Sequence, residues 1–347
     1  MIFSVTTFRR AVTTSAITVA ITFGPAFTAI SQALTLNGAG ATFPKPLYDR
    51  YFSEFSKKNS DIQVNYEAIG SGGGIKQLTA GTVDFAGSDA AMTDEQIAKV
   101  GKGVVMIPTA GGAVAVVYNL PGVTNLKLSR SVLPAIFLGQ ITRWNDPQIA
   151  KDNPGVTLPD RPIKTVVRAD GSGTSFIFSN HLSTISADFK NKTGGASQTP
   201  NWSGNPLKGK GNPGVTALVK QTEGSIGYIE YAYAKQNNMA YALLQNKKGQ
   251  FLSPELKNAN LALASVKFPS NFRVFEGDPA IGYPVVGMTW LLIYKEYKPE
   301  AAPAIKKLVK WILTDGQKIN AELDYTRVPQ YVANQALAAV DKQVATK

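Results

Sequence analysis

The stretch Val166-Val167-Arg168-Ala169-Asp170-Gly171-Ser172-Gly173-Thr174-Ser175 limits what this chain can become more than any other. The apolar, β-branched run from Ile163 to Val167, with Lys164 and Thr165 inside it, predicts the end of a strand. Phe176, Ile177, Phe178 and Leu182 then recur at helical spacing and predict a helix from Ser175 onward. A strand that becomes a helix through a Gly-punctuated loop sets the unpaired first N–H groups of the helix beside whatever the loop carries. Here the loop carries one guanidinium, one carboxylate and several hydroxyls. Those are the parts of an oxyanion site, with Arg168 as a planar donor fork for two oxygens. A Ser-capped helix with Arg168 paired to Asp170 is a plainer reading of the same residues, and both stand at this point.

Two more loops of the same kind precede it. Leu34 to Leu36 predicts a short strand running into Asn37-Gly38-Ala39-Gly40-Ala41, and Leu47, Tyr48, Tyr51, Phe52 and Phe55 form an apolar stripe on a helix over Pro44 to Lys58. Thr42 and Phe43 then sit at a helix start, where a hydroxyl and two backbone N–H groups can meet an anion; Thr42 as a simple N-cap is equally compatible. Ile62 to Ile69 alternates as a half-buried strand, Gly70-Ser71-Gly72-Gly73-Gly74 follows, and Ile75 to Ala80 predicts another helix. The loop is not a Walker A motif, because Ile75 stands where a Gly must precede Lys76, and Phe43 replaces the third Gly of a dinucleotide fingerprint begun at Gly38.

Val83 to Met92 predicts a strand with a polar tip, and Thr93 with Gln96 makes a capping box for the next helix. Asp89 lies before that cap. A carboxylate among anion loops is electrostatically odd unless the ligand keeps a proton, since a carboxylate only accepts hydrogen bonds. Monohydrogen and dihydrogen phosphate keep protons at neutral pH; sulfate does not. A surface turn residue is the ordinary alternative for Asp89.

Farther on, Val104 to Asn119 predicts two strands broken at Gly111-Gly112, a candidate crossing between domains, with Pro284 to Tyr294 as a second. A helix is expected near Leu138 to Asn145. Lys192 to Gly214, dense in Gly, Pro, Asn and Ser, predicts a long surface loop, with a helix beginning at Val215. Gly224 to Tyr231 predicts a strand followed by a helix over Ala232 to Asn237. Ala301 to Thr314 is amphipathic, and Tyr331 to Val340 forms a terminal helix.

Composition removes several classes of function. Arg9-Arg10 before an apolar run from Ala11 to Phe27, with Ser31-Gln32-Ala33 at the cleavage positions, predicts a cleaved export signal over residues 1-33. With no cysteine there is no disulfide, thiol nucleophile or thiolate metal site, nor a lipidation site after the signal. The single histidine, His181, leaves too little for a catalytic triad or an imidazole metal site and reads as a helix-surface or packed residue. Neither Ser71 nor Ser172 lies in a Gly-x-Ser-x-Gly elbow, and the carboxylates are too dispersed to nominate an acid pair. The charge of +12 favours anions, yet no Lys/Arg run exceeds two, which does not favour nucleic acid.

The segments Gly38-Ala39-Gly40-Ala41-Thr42-Phe43-Pro44, Gly70-Ser71-Gly72-Gly73, Asp84-Phe85-Ala86-Gly87-Ser88-Asp89, Arg168 to Ser175 and Gly227-Tyr228-Ile229-Glu230-Tyr231-Ala232, in this order, resemble the periplasmic phosphate-binding proteins of high-affinity phosphate ABC transporters. The departures are minor: Val167 stands where a second Arg is sometimes found, and Gly72 follows Ser71 in place of Ser. The resemblance implies an α/β, two-lobed periplasmic-binding-protein fold (type II), with the ligand cleft between lobes and two crossing strands. It implies lobe I over 34-113 plus 280-347 and lobe II over 114-279. Phosphate would be held by Thr42, Phe43 through its N–H, Ser71 and Asp89 from the first lobe. Arg168, Ser172, Gly173 and Thr174 would complete the site from the second, with Asp170 orienting Arg168. Inorganic phosphate and the membrane permease subunits are the implied partners, and the chain is expected to be a periplasmic monomer with no cofactor, metal or catalytic residue. Another tetrahedral oxyanion, arsenate or sulfate, is the alternative ligand; an exported phosphate-ester hydrolase is the alternative of a different class.

Overall fold

The computed structural model describes Met1 and residues 33–347. The export signal expected over 1-33 therefore lies outside the described residues, Met1 and Ala33 apart. Residues 33–347 form one compact unit.

Eight strands make one mixed sheet: β1 (Leu34–Gly40), β2 (Ile62–Ala68), β3 (Phe85–Ser88), β4 (Val104–Tyr118), β5 (Lys164–Arg168), β6 (Leu207–Gly209), β7 (Ser225–Glu230) and β8 (Val286–Tyr294). Their spatial order is β2-β1-β3-β8-β4-β7-β5-β6. β1 is parallel to β2 and β3, and β5 is parallel to β6 and β7. β8 runs antiparallel between β3 and β4, and β4 is antiparallel to β7.

β4 joins the two parallel sets. Its first part, Val104 to Ala113, pairs with β8, and Val114 to Tyr118 pairs with β7. Since β3 runs with β4 and β7 runs against it, the carboxyl ends of the two sets face each other across the middle of β4. That opposition creates a crevice at the strand ends, where ligands bind in open α/β sheets.

The two strands expected over Val104 to Asn119 are one strand of 15 residues, buried throughout. Gly111 and Gly112 do not break it. They admit close neighbours: a Cβ on Gly111 would lie 2.5 Å from Leu263 Cδ1, and one on Gly112 would lie 2.8 Å from Phe43 Cζ. The irregularity falls earlier, where Pro108 pairs with Trp290 and Ala110 with Thr289, so that Thr109 bulges out.

The first helix covers Lys45–Lys58 and buries the whole predicted stripe against the sheet, with Lys57 and Lys58 complementing its last turn. Each such apolar side chain contributes about 1.5–3 kcal/mol of burial. The Thr93–Gln96 capping box is present, each side chain bonding the other's backbone N–H. The helix expected near Leu138 lies earlier, over Val132–Phe137, and stops where Gly139 takes a φ of +69°. The expected surface loop over Lys192 to Gly214 contains strand β6, and its last residues already belong to a helix over Gly211–Gln221. The terminal helix covers Gln330–Gln343.

Candidate functional site

Each parallel strand delivers a polar group at its carboxyl end. Thr42 follows β1, Ser71 follows β2, Asp89 follows β3, Arg168 ends β5, Asn212 follows β6 and Glu230 ends β7. All six are buried.

The Ser172 cap and the Arg168–Asp170 ion pair are both present in this loop. Ser172 Oγ accepts from Ser175 N–H at 2.9 Å and caps a helix over Gly173–Ile185. Arg168 Nε donates to Asp170 Oδ1 at 2.9 Å, and Nη2 donates to Asp170 Oδ2. Nη1 donates to Thr174 Oγ1 at 3.3 Å. Three of the five guanidinium N–H groups are then engaged by this loop. Burial works to raise the Asp170 carboxyl, but the Arg168 bonds and charge, with Gly211 N–H at 2.8 Å, outweigh it and hold the group below its ordinary range.

On the other side, Ser71 Oγ accepts from Asp89 N–H at 3.2 Å and from Gly173 N–H at 3.1 Å. Ser71 Oγ also lies 3.5 Å from Asp89 Oδ2, and Thr289 Oγ1 donates to Asp89 Oδ1 at 2.8 Å. Gly173 fits so closely that a Cβ there would lie 2.5 Å from Asp89 Cβ and 2.6 Å from Ser71 Oγ. Burial pushes the Asp89 carboxyl up to about 7, opposed by the Thr289 bond, the Arg168 charge and the Ser71 bond. Asp89 thus holds or releases a proton near neutrality.

Thr42 does not cap its helix. Its Oγ1 accepts from Asn212 N–H at 3.0 Å and from Asn212 Nδ2 at 2.9 Å. Phe43 is fully buried and its carbonyl accepts from Tyr325 Oη at 2.7 Å. Ser71, Asp89, Gly173, Thr174, Arg168, Asp170, Thr42 and Asn212 are therefore connected through direct contacts, with Ser172 and Phe43 their chain neighbours. His181 is buried, its Nδ1 lies 2.7 Å from Gly277 O, and burial pushes it down to about 4.

Sequence reasoning missed Asn212, Thr289 and Glu230. Thr289 left one signal: it is the one side chain with a hydroxyl between Val286 and Leu292, in a strand buried on both faces. Asn212 left none, because its surroundings have the composition of a loop.

A family model described as a PBP superfamily domain matches residues 26–316. A phosphate-binding protein PstS of Pasteurella multocida is 42% identical over 315 residues, covering 88% of this chain and 90% of that protein. Another PstS, from Methanocaldococcus jannaschii, is 36% identical over 339 residues, covering 89% and 86%. Among solved structures, a phosphate-binding protein from Stenotrophomonas maltophilia matches with a TM-score of 0.71 at 20% identity, over 88% of this chain and 94% of that one. At that identity the likeness is one of fold.

Proposed function

The chain belongs to the PBP superfamily and, within it, to the PstS phosphate-binding proteins, and from that premise we propose that it captures inorganic phosphate and delivers it to an ABC importer. Capture takes place between lobe I, residues 34-113 with 280-347, and lobe II, residues 114-279. The lobes meet at the opposed strand ends, with β4 running from one into the other and β8 beginning where the chain returns to lobe I. The ligand groups are Thr42, Phe43 N–H, Ser71, Asp89, Arg168, Ser172, Gly173 and Thr174, with Asp170 fixing the plane of Arg168.

One observation carries this reading. A buried carboxylate, Asp89, is held at the edge of a ring of donors by Thr289, with its second oxygen beside Ser71 and Gly173. A ring of donors alone would suit any oxyanion. A carboxylate that titrates near 7 suits an anion with a proton of its own, because one proton can be shared between ligand and carboxylate. The Arg168 and Asp170 charges cancel locally, so hydroxyls, backbone N–H groups and the start of the helix over Gly173–Ile185 do most of the holding.

The protein acts as a binding protein and not as an enzyme, as a monomer, and in the periplasm after loss of its leader. Among the described residues no helix is long and apolar enough to cross a membrane. The single imidazole is buried against a backbone carbonyl, which supports binding over phosphate-ester hydrolysis. Arsenate, which carries the same proton, is the second ligand this site would accept.

Isothermal titration of residues 34–347, stripped of phosphate, tests the reading with phosphate and then sulfate at pH 8. Tight one-site phosphate binding with no sulfate heat is expected. Equal affinity for both would make it a general oxyanion carrier, and silence with both would overturn the proposal.

A further inference from the structure

Asn212 lies in the first turn of the helix over Gly211–Gln221 and is fully buried, and it is not among the ligand groups. Every polar atom of its side chain is engaged. Oδ1 accepts from Glu230 N–H at 3.0 Å, and Nδ2 donates to Thr42 Oγ1 at 2.9 Å and to Thr174 Oγ1 at 3.2 Å. The Glu230 bond decides which way the amide faces. Only the oxygen can meet an N–H, so the nitrogen must meet both hydroxyls.

A hydroxyl has one proton and two acceptor positions. Thr42 Oγ1 accepts a second bond from Asn212 N–H at 3.0 Å, and Thr174 Oγ1 accepts a second from Arg168 Nη1 at 3.3 Å. Both oxygens are filled as acceptors. Each keeps one proton, and that proton can only be given to something else.

We propose that Asn212 is a positioning residue for anion capture: it fills both acceptor positions of Thr42 and, together with Arg168, those of Thr174, and so makes both hydroxyls obligate donors to the bound phosphate. This deepens the phosphate reading and rests on it. A phosphate oxygen without a proton only accepts, so a hydroxyl whose direction is already set costs nothing to reorient when the anion arrives. Asn212 also links a threonine from each proposed lobe, so one side chain sets both donors. An aspartate in its place would reverse the polarity, because a carboxylate would take both threonine protons for itself.

Double-mutant cycles test this by phosphate titration calorimetry on residues 34–347, run to millimolar phosphate so that weak binders stay in range. Asn212→Ala and Asn212→Ser are each made alone and combined with Thr42→Val or with Thr174→Val. Either Asn212 variant alone should weaken phosphate about 10-fold, the scale of one or two hydrogen bonds. In either valine background that cost should shrink to about twofold, since the hydroxyl that Asn212 acts on is gone. Running both Asn212 variants keeps the cycle complete should one fail to fold. An undiminished cost in both valine backgrounds, or affinity within threefold of wild type for both single variants, would overturn the inference. If the wild-type chain itself gives no phosphate heat, the functional reading fails first; if it binds and the costs simply add, only the role of Asn212 fails.

Discussion

The hydroxyl of Thr289 donates to Asp89 Oδ1 at 2.8 Å, joining the middle of β8 to the loop after β3. Thr289 sits beside the bulge at Thr109, and its neighbour Trp290 pairs with Ser88, so the bond is set by strand register and not by a flexible loop. One carboxylate oxygen is thereby fixed from behind, and the other faces Ser71 and Gly173.

Replacing Asp89 with Asn should lower discrimination against sulfate. An amide can present its N–H₂ to an oxyanion that has no proton, which a carboxylate cannot do. The ratio of phosphate to sulfate affinity, measured by calorimetry at pH 8, should fall at least 10-fold; an unchanged ratio would remove the role assigned to Asp89.

Acid should act on the wild-type protein in the same direction. The Asp89 carboxyl titrates at about 7, so at pH 5.5 it carries a proton that it can donate to sulfate. Sulfate titrations at pH 8.5 and pH 5.5 should differ, with the tighter binding in acid. Equal sulfate binding at both would mean that this proton does not govern selectivity.

The raised Asp89 carboxyl also affects stability. The folded-state value of about 7 lies above the ordinary 3.8, so the folded protein binds this proton more tightly than the unfolded chain. The resulting penalty is complete above pH 7 and disappears as pH falls from 7 toward 4. Each tenfold difference in proton affinity is worth ~1.4 kcal/mol, which makes the full penalty on the order of 4 kcal/mol. Asp89→Asn should therefore be more stable than wild type in denaturant at pH 8, with the advantage narrowing through pH 5 and closing near pH 4. A gap that does not change with pH would contradict this.

Gly173→Ala should abolish tight binding without unfolding the protein. The added methyl would lie 2.5 Å from Asp89 Cβ and 2.6 Å from Ser71 Oγ, so the two sides must separate to admit it. Phosphate affinity should drop at least 100-fold while circular dichroism stays native. Near-normal affinity would show that the contact between Gly173 and Asp89 is not needed for capture.

Arg168→Ala should lose about 2–4 kcal/mol of phosphate affinity, the scale for removing one member of a buried charge pair and leaving the other unpaired. Arg168→Lys should recover little of it, since an ammonium cannot reproduce the two-point bond to Asp170. Affinity of either variant within a factor of three of wild type would argue against a ligand role for the guanidinium.

What the sequence disclosed follows the range over which each feature is encoded. Leu47, Tyr48, Tyr51, Phe52 and Phe55 announce their helix because periodicity is set by neighbouring residues, and all five are buried. The Arg168 loop was legible for the same reason, since a strand, a turn and a cap lie within a few positions. Asn212 was not, because its meaning depends on Thr42 and Thr174, separated from it by 170 and 38 positions. Gly111 and Gly112 misled in the opposite sense: they are glycines because Leu263 and Phe43 press against them, and only tertiary packing supplies those neighbours.

The place of β8 has a consequence for how the chain is made. Residues 286–294 pair on one side with β3 and on the other with β4, so the strand that closes the sheet is among the last parts to be synthesised. Until it emerges, β3 and β4 each keep a bare edge, and Asp89 has no Thr289 to hold it. The proposed anion site therefore cannot be finished until residues 286–294 have been made. Folding must wait for contacts that span some 200 positions, as the one from Thr289 to Asp89 does, and a chain truncated before residue 286 would have neither a complete sheet nor a place for the ligand.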